Sequence, residues 1–248
     1  MVHYSNPMPN SFFQFKQFNI HQQFAAMKVS TDSCLFGAWV GKKAACQFAS
    51  SARILDVGAG TGLLMLMLAQ QCEATIDGIE LDVATATEAT SNCNASVWSK
   101  RLHIIEGDVR HFEPIETYDL IISNPPFYER SLQSYRRLNN IAHHDAGLDF
   151  EQLVDFTKFA LKEDGSFAVL VPFFRETEMI KLCSAKKLVL QQRMRVQHTA
   201  DKPIIRSMLW FQQKGANRIH DDVISINGED GFYSDAFVNL LQPYYLFL

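Results

Sequence analysis

The sequence predicts an α/β protein: a mostly parallel, doubly wound sheet, an antiparallel hairpin at one edge and a small N-terminal extension. Three observations predict it. From residue 52 onward, short apolar runs alternate with helix-patterned segments, as in strands joined by crossover helices. The run "ARILDVG" opens onto "AGTGLL", so Gly58, Gly60 and Gly62 fall between a strand and a helix, where sheets of this kind bind ligands. Acids then close the next two runs, Glu80 and Asp108. A chain of 248 residues suits one large domain with small additions. We divide it into an extension, 1–50, packed on a core, 51–248.

The elements follow in order. "FFQFKQFNI" alternates loosely and predicts a strand or hairpin arm. Thr31 or Asp32 is placed to cap a short helix through "SCLFGAWVG". "ARILDVG" is a buried strand, and "LLMLMLAQQ" a helix opened by glycines. "ATIDGIELD" is a strand ending in acids, and "VATATEATSNCNAS" a helix. "LHIIEGDV" and "YDLIISNPP" are two more strands. "FEQLVDFTKFALKEDG" reads as an amphipathic helix stopped by Gly165. "SFAVLVP" is a strand and "ETEMIKLCSAKK" a helix. "LVLQQRMRVQH" and "IIRSMLWFQQ" flank "TADKP" with no helix between them, which predicts the antiparallel hairpin. "DVISING" adds a strand, and a helix runs from Ser234 to the end. The closing "YYLFL" is apolar enough to pack on the body.

Composition narrows the function. Hydrophobic residues make up 47% and charged residues 20%, ordinary values for a globular protein. No apolar run approaches the roughly 18 residues that cross a membrane, and no basic segment followed by an apolar stretch marks a secretory signal at the start. The five cysteines, Cys34, Cys46, Cys72, Cys93 and Cys183, are odd in number and form no CxxC pair. That argues against disulfides and zinc, and for a reducing cytoplasm. No metal is expected. The net charge of −4 gives nucleic acid no general attraction; such a partner requires a local basic patch. The oligomeric state stays open, with a monomer favoured.

The glycine turn points to a nucleotide-like ligand. Glycine lets the chain turn tightly and lets a ligand approach the backbone. Glu80 ends the following strand, where an acid holds ribose hydroxyls in dinucleotide folds. A pyrophosphate dinucleotide and S-adenosylmethionine both fit these parts. Asp56 stands just before the turn, and a carboxylate there suits a positively charged ligand better than a phosphate. This favours S-adenosylmethionine, which carries a sulfonium and an ammonium. Asp108 is then placed to accept from an adenine amino group.

A second corner lies at "SNPPF". Asn124, Pro125, Pro126 and Phe127 follow the end of a strand, at the sheet edge where α/β proteins place their sites. Two prolines fix the backbone and remove two N–H donors. Carbonyl acceptors and the Asn124 amide remain, suited to a substrate that presents N–H groups, while Phe127 offers a stacking face. An exocyclic amine on a planar ring fits both. Acceptors on its hydrogens draw the nitrogen toward a tetrahedral geometry and free its lone pair, so the rate comes from alignment and needs no strong base. A base held in a strand or loop has to be flipped out first.

Together "DVGAGTG", "ELD", "GDV" and "NPPF" resemble class I S-adenosylmethionine-dependent methyltransferases with an (N/D)PP(Y/F) motif, which modify amino nitrogens of adenine, guanine or glutamine. "FKQFNIHQQFAAMKVSTDSCLFGAW", "NNIAHHDAGL" and "YSDAFVNLLQPYYLFL" further resemble bacterial valine-tRNA adenine-N6 methyltransferases, over nearly the whole length. The resemblance implies a Rossmann-like fold and methyl transfer from S-adenosylmethionine to N6 of the adenosine 3′ of the anticodon. It implies that Asp56, Gly58, Gly60 and Gly62 line the methionine part of the cofactor. It gives Glu80, with Leu81, the ribose, and Asp108, with Val109, the adenine. Asn124 to Phe127 take the target base, Asn124 also bordering the cofactor, and Lys28, Thr31 and Asp32 belong to an N-terminal cofactor motif. One departure shows: Ser30 and Ser33 stand where that motif has glycines.

A tRNA substrate calls for cations against phosphate. The candidates are Lys16, Lys28, Lys42, Lys43, Arg136, Arg137, Lys186, Lys187, Arg193, Arg195 and Arg206. Arg136 and Arg137 share a loop after the NPPF corner with Tyr128, Tyr135, His143 and His144, an aromatic and basic set suited to clamping RNA. Three rivals remain: a methyltransferase acting on ribosomal-RNA guanine or protein glutamine, an NAD-dependent oxidoreductase, and a non-catalytic RNA-binding protein with a retained cofactor fold. For the oxidoreductase, no tyrosine–lysine pair or catalytic acid is convincingly placed.

Overall fold

Strands β3 (Arg53–Val57), β4 (Thr75–Glu80), β5 (Leu102–Glu106), β6 (Tyr118–Ser123) and β7 (Leu161–Pro172) carry the apolar runs. Their side chains are buried on both faces at Ile54, Leu55, Leu120, Ile121, Ile122 and from Phe167 to Val171, as expected for parallel strands covered by helices. A computed structural model describes residues 11–25, 27–125, 148–215 and 219–248. Its main sheet has eight strands in the order β10-β8-β9-β7-β6-β3-β4-β5. The first pair, β1 (Phe12–Gln14) and β2 (Asn19–His21), forms a separate antiparallel hairpin.

The pairs β3–β4, β4–β5, β3–β6 and β6–β7 are all parallel. The chain therefore leaves β3 toward β4 on one side and returns to β6 on the other, a switch point whose carboxyl edge opens a crevice. The predicted hairpin is β8 (Val189–Gln197) with β9 (Ile204–Gln212). It joins the sheet through β9, antiparallel to β7, and β10 (His220–Ser225) adds outside it, parallel to β8.

Helices α1 (Thr31–Gln47), α2 (Leu63–Ala69), α3 (Val83–Asn94), α4 (Phe150–Ala160), α5 (Glu176–Ala185) and α6 (Asp235–Leu241) cover the sheet. Two apolar clusters form. One joins α1, α2 and α6 to one face of the sheet, with Phe15, Trp39, Met67, Trp210 and Tyr244 among its members. The other joins α4 and α5 to the opposite face.

Helices α2, α3 and α5 each end two residues earlier than the sequence predicts, and three helices differ more. The cap of α1 is Ser30, not Thr31 or Asp32, and the helix runs 17 residues because its core from Ser33 to Gly41 is buried. Helix α4 ends at Ala160, well before Gly165, because Leu161 turns extended and pairs with Tyr118. The register then shifts so that Leu120 faces Ser166. Gly165 belongs to this irregular segment: a Cβ there would lie 2.7 Å from Leu161 Cγ. Helix α6 begins after Ser234 as expected but stops at Leu241. Beyond it Tyr244 is buried and caps the core, its hydroxyl donating to the Met67 carbonyl, while Phe247 stays exposed.

Candidate functional site: an acidic cavity at the carboxyl edge

The carboxyl ends of β3, β4, β5 and β6 surround a cavity of about 500 Å³, a size that suits a nucleoside-sized ligand. Gly58 and Gly60 come from the turn after β3, Glu80 and Leu81 from the end of β4, Asp108 and Val109 from beyond β5, and Asn124 and Pro125 from beyond β6. Lys28 closes it from the N-terminal segment. Nine of the residues expected from the sequence thus meet on one wall or another. Their separation along the chain is a consequence of strand order alone.

The glycine turn has positive φ at Gly58 (75°), Gly60 (55°) and Gly62 (78°), a region that side chains with a Cβ rarely enter. Four of its N–H donors are engaged within the protein. Gly58 N and Ala59 N donate to the Ile79 carbonyl, Gly62 N to Ala59, and Gly60 N to Glu80 Oε2 at 2.9 Å. A turn whose N–H groups are already bonded makes a poor phosphate cradle. That favours a ligand without phosphate. Gly62 forms the N-cap of α2 and does not line the cavity.

The acids fall into distinct environments. Glu80 Oε1 accepts from Asp82 N at 3.0 Å, so one carboxylate bridges the glycine turn and the start of α3. Asp82 caps α3 through Thr85 N and Oγ1, bonds that hold its carboxyl below the usual range. Asp108 is gripped by Arg110, whose Nε lies 2.9 Å from both carboxylate oxygens; this pairing likewise holds its carboxyl low. Arg110 also lines the cavity and was not singled out from the sequence, although it stands only two residues from Asp108.

Asp56 departs from its expected place. It lies fully buried beneath the turn and is not part of the cavity wall. Neither carboxylate oxygen has a hydrogen-bond partner among the described residues. Burial, reinforced by the nearby Glu80 carboxylate, pushes its carboxyl up to about 8. Thr31 and Asp32 also stand off the wall. Asp32 pairs instead with Arg206, at 2.8 Å.

Asn124 shows the most telling geometry. Its Nδ2 donates to Ser33 Oγ at 2.9 Å, across 91 residues of sequence. Its Oδ1 is buried and has no partner among the described residues. Beside it, Ser123 Oγ donates to the Val57 carbonyl at 2.8 Å and ties the corner to the glycine turn. Ser33 is the principal wall residue that the sequence reading left without a role. A buried acceptor without a partner costs stability, and Asn124 is one of the residues that line the cavity.

The N-terminal segment forms the roof. Ala25, Met27, Lys28 and Val29 line the cavity. Glu88 on α3 accepts from the backbone N–H of Gln23, Phe24 and Ala25. One turn further, Asn92 bonds to both backbone groups of His21 and to the Thr61 carbonyl. Helix α3 thereby fixes the roof over the glycine turn.

The expected RNA contacts fare differently. Arg193 and Arg195 both bind the buried Glu176 carboxylate and the Asp221 carboxylate, so their charge is engaged within the fold. Lys16 donates to the Gln242 carbonyl, Lys186 pairs with Asp155, and Lys187 sits at the turn after α5 with φ of 63°. Lys43 lies over the Trp39 and Trp210 rings, at 5.5 and 5.0 Å. Pro126, Phe127, Tyr128, Tyr135, Arg136, Arg137, His143 and His144 fall outside the described residues. Among the described residues there is no cluster of three or more His, Cys, Asp or Glu able to hold a metal ion, and no helix long and apolar enough to cross a membrane.

The family model of the methyltransferase small domain matches residues 22–180. The chain is 36% identical to the tRNA1(Val) (adenine(37)-N6)-methyltransferase of Flavobacterium johnsoniae, covering 94% of this chain and 99% of that one. It is also 36% identical to the protein of the same name from Cytophaga hutchinsonii, over 96% and 99%. Among solved structures, a predicted O-methyltransferase of Agrobacterium tumefaciens superposes with a TM-score of 0.66 at 17% identity, over 86% of this chain and 96% of that one. That likeness shows the class of fold. The cavity, its acids and its non-phosphate turn fit S-adenosylmethionine, the methyl donor of this fold. On sequence, fold and site together, the chain belongs to the methyltransferase small domain family and, within it, to the family of the tRNA1(Val) (adenine(37)-N6)-methyltransferases.

Proposed function

We propose that this protein methylates the exocyclic N6 of adenosine 37, the nucleoside 3′ of the anticodon, in valine tRNA. The observation that carries the reading is Asn124, which lines the cofactor cavity and whose buried Oδ1 has no hydrogen-bond partner among the described residues. An adenine N6 amine offers the N–H donor that this atom lacks. The relatives that share nearly the whole chain are named for this substrate and position. Unpaired cysteines throughout fit work in a reducing cytoplasm.

S-adenosylmethionine supplies the methyl group when bound. In this reading Glu80, at the strand end beside the glycine turn, takes the ribose hydroxyls, and Asp108 with Val109 the adenine ring; all three line the cavity. Leu81 and Val109 contribute apolar wall. Asn124 Oδ1 accepts one N6 hydrogen and turns the lone pair toward the methyl group. Pro125 has no N–H to compete for that acceptor or to repel the amine. No side chain on the described wall has to act as a strong base: the methyl–sulfur bond would break as the N–C bond forms, and the cationic nitrogen that results is acidic enough to give its proton to water.

Labelled S-adenosylmethionine, purified protein and unmodified valine tRNA test the reading, followed by nucleoside analysis. N6-methyladenosine at position 37, lost in Asn124→Ala, is the expected result. Cofactor binding without transfer to that tRNA moves the substrate to another amine, of ribosomal RNA or of a protein glutamine. Absence of cofactor binding overturns the cavity assignment.

A further inference from the structure

We infer that Ser33 is a positioning residue for methyl transfer: it holds the Asn124 amide with its oxygen turned to the base. The inference rests on the functional reading above and goes one step beyond it. Ser33 is 4% exposed and lines the cavity beside Asn124.

An Asn side chain has two nearly isosteric ends, one a donor and one an acceptor. Only the orientation with oxygen toward the substrate receives an amine hydrogen; the reverse sets donor against donor. At this corner the NH2 end faces two groups. Ser33 Oγ lies 2.9 Å from Nδ2, and Met27 Sδ lies 3.8 Å from it. A thioether only accepts, so Met27 admits the NH2 end and not the oxygen. Ser33 adds the stronger bond. Its own hydroxyl has a partner in Ser30 Oγ at 2.9 Å, and its backbone N–H donates to that same Ser30 oxygen, the N-cap of α1.

The arrangement is a chain that links Asn124 N–H, the Ser33 hydroxyl and the Ser30 hydroxyl, anchored on a helix end. Each link polarises the next. An amide whose N–H is bonded in this way carries more charge on its oxygen and is a better acceptor for the amine. Ser33 touches neither substrate nor reacting atoms in this scheme; it acts through Asn124.

The test compares Ser33→Ala and Ser33→Thr in the full chain, each with Asn124 intact and in an Asn124→Asp background. A carboxylate has two equivalent acceptor oxygens and no orientation to fix. With Asn124 intact, Ser33→Ala is expected to lower kcat about tenfold, with cofactor Kd within about twofold and Ser33→Thr retaining most of the rate. In the Asn124→Asp background the same Ala substitution is expected to change kcat less than about twofold. The inference is overturned if Ser33→Ala leaves kcat unchanged, if it acts through cofactor Kd, or if it costs the same factor in both backgrounds. Should the Asn124→Asp protein turn over too slowly to measure, the contrast of Ala with Thr at constant cofactor Kd decides alone. Wild type and Asn124→Ala report on the functional reading separately. An active wild type, a silent Asn124→Ala and a fully active Ser33→Ala would sink the positioning role and leave that reading standing.

Discussion

Gly60 N–H points at Glu80 Oε2 from 2.9 Å, binding the turn after one central strand to the end of its neighbour. The other oxygen of Glu80 holds Asp82 N at the start of α3. One carboxylate thus shapes the cavity wall, and in the function proposed above it also takes the ribose. Glu80→Ala removes both effects. Hydrogen bonds to a charged group contribute about 1.5–3 kcal/mol each, so cofactor Kd is expected to rise about 10- to 100-fold. Isothermal titration with S-adenosylhomocysteine measures it. An unchanged Kd would remove Glu80 from the site.

Asp56 gives a prediction about pH. Its carboxyl is raised from 3.8 to about 8 by burial, so the unfolded chain loses this proton long before the folded one does. Stability from the protonated form is fully present below pH 3.8 and is lost as pH rises toward about 8. Asn keeps the shape and carries no charge. Asp56→Asn is therefore expected to raise the Tm of the ligand-free protein, more at pH 8 than at pH 5. The resemblance also gives Asp56 a place near the cationic end of the cofactor, so the same change is expected to weaken S-adenosylmethionine. Thermal melts at the two pH values, with and without cofactor, separate these effects. A Tm gain equal at both pH values would show that the charge of Asp56 is not its source.

The glycine turn, Glu80 and Asp108 were legible in the sequence because a strand, its turn and its terminal acid are contiguous. The strand order then brings such segments together whatever lies between them. Ser33 was visible only as a departure from glycine, since its partner Asn124 is 91 residues away. Arg193 and Arg195 are candidate phosphate contacts on sequence, lying in the predicted strand "LVLQQRMRVQH". Nothing local shows that Glu176, at the head of α5, is buried against them. Asp56 is legible as an acid before the turn, but its burial comes from the sheet it joins, between β4 and β6, which lie far along the chain. The end of α4 was misjudged because Gly165 is a strong stop signal, while the force that ends the helix at Ala160 is the pairing of Leu161 with Tyr118.

Glu88 is a residue whose importance no motif announces. It is 7% exposed and accepts from three consecutive backbone N–H groups, those of Gln23, Phe24 and Ala25. Gln23 N bonds to Oε1, whereas Phe24 N and Ala25 N bond to Oε2. A glutamine cannot replace this, because one side of its amide would set NH2 against backbone donors. Glu88→Gln is expected to lower stability by about 1–3 kcal/mol. It should also weaken cofactor binding, since Ala25 and the residues after it roof the cavity. The measurements are denaturant unfolding of the ligand-free protein and the Tm shift produced by S-adenosylhomocysteine. A loss of stability with an unchanged ligand-induced shift would mean that the roof closes on the cofactor without help from α3. A loss of both would establish the α3 carboxylate as the clamp that holds the N-terminal segment over the methyl-transfer site.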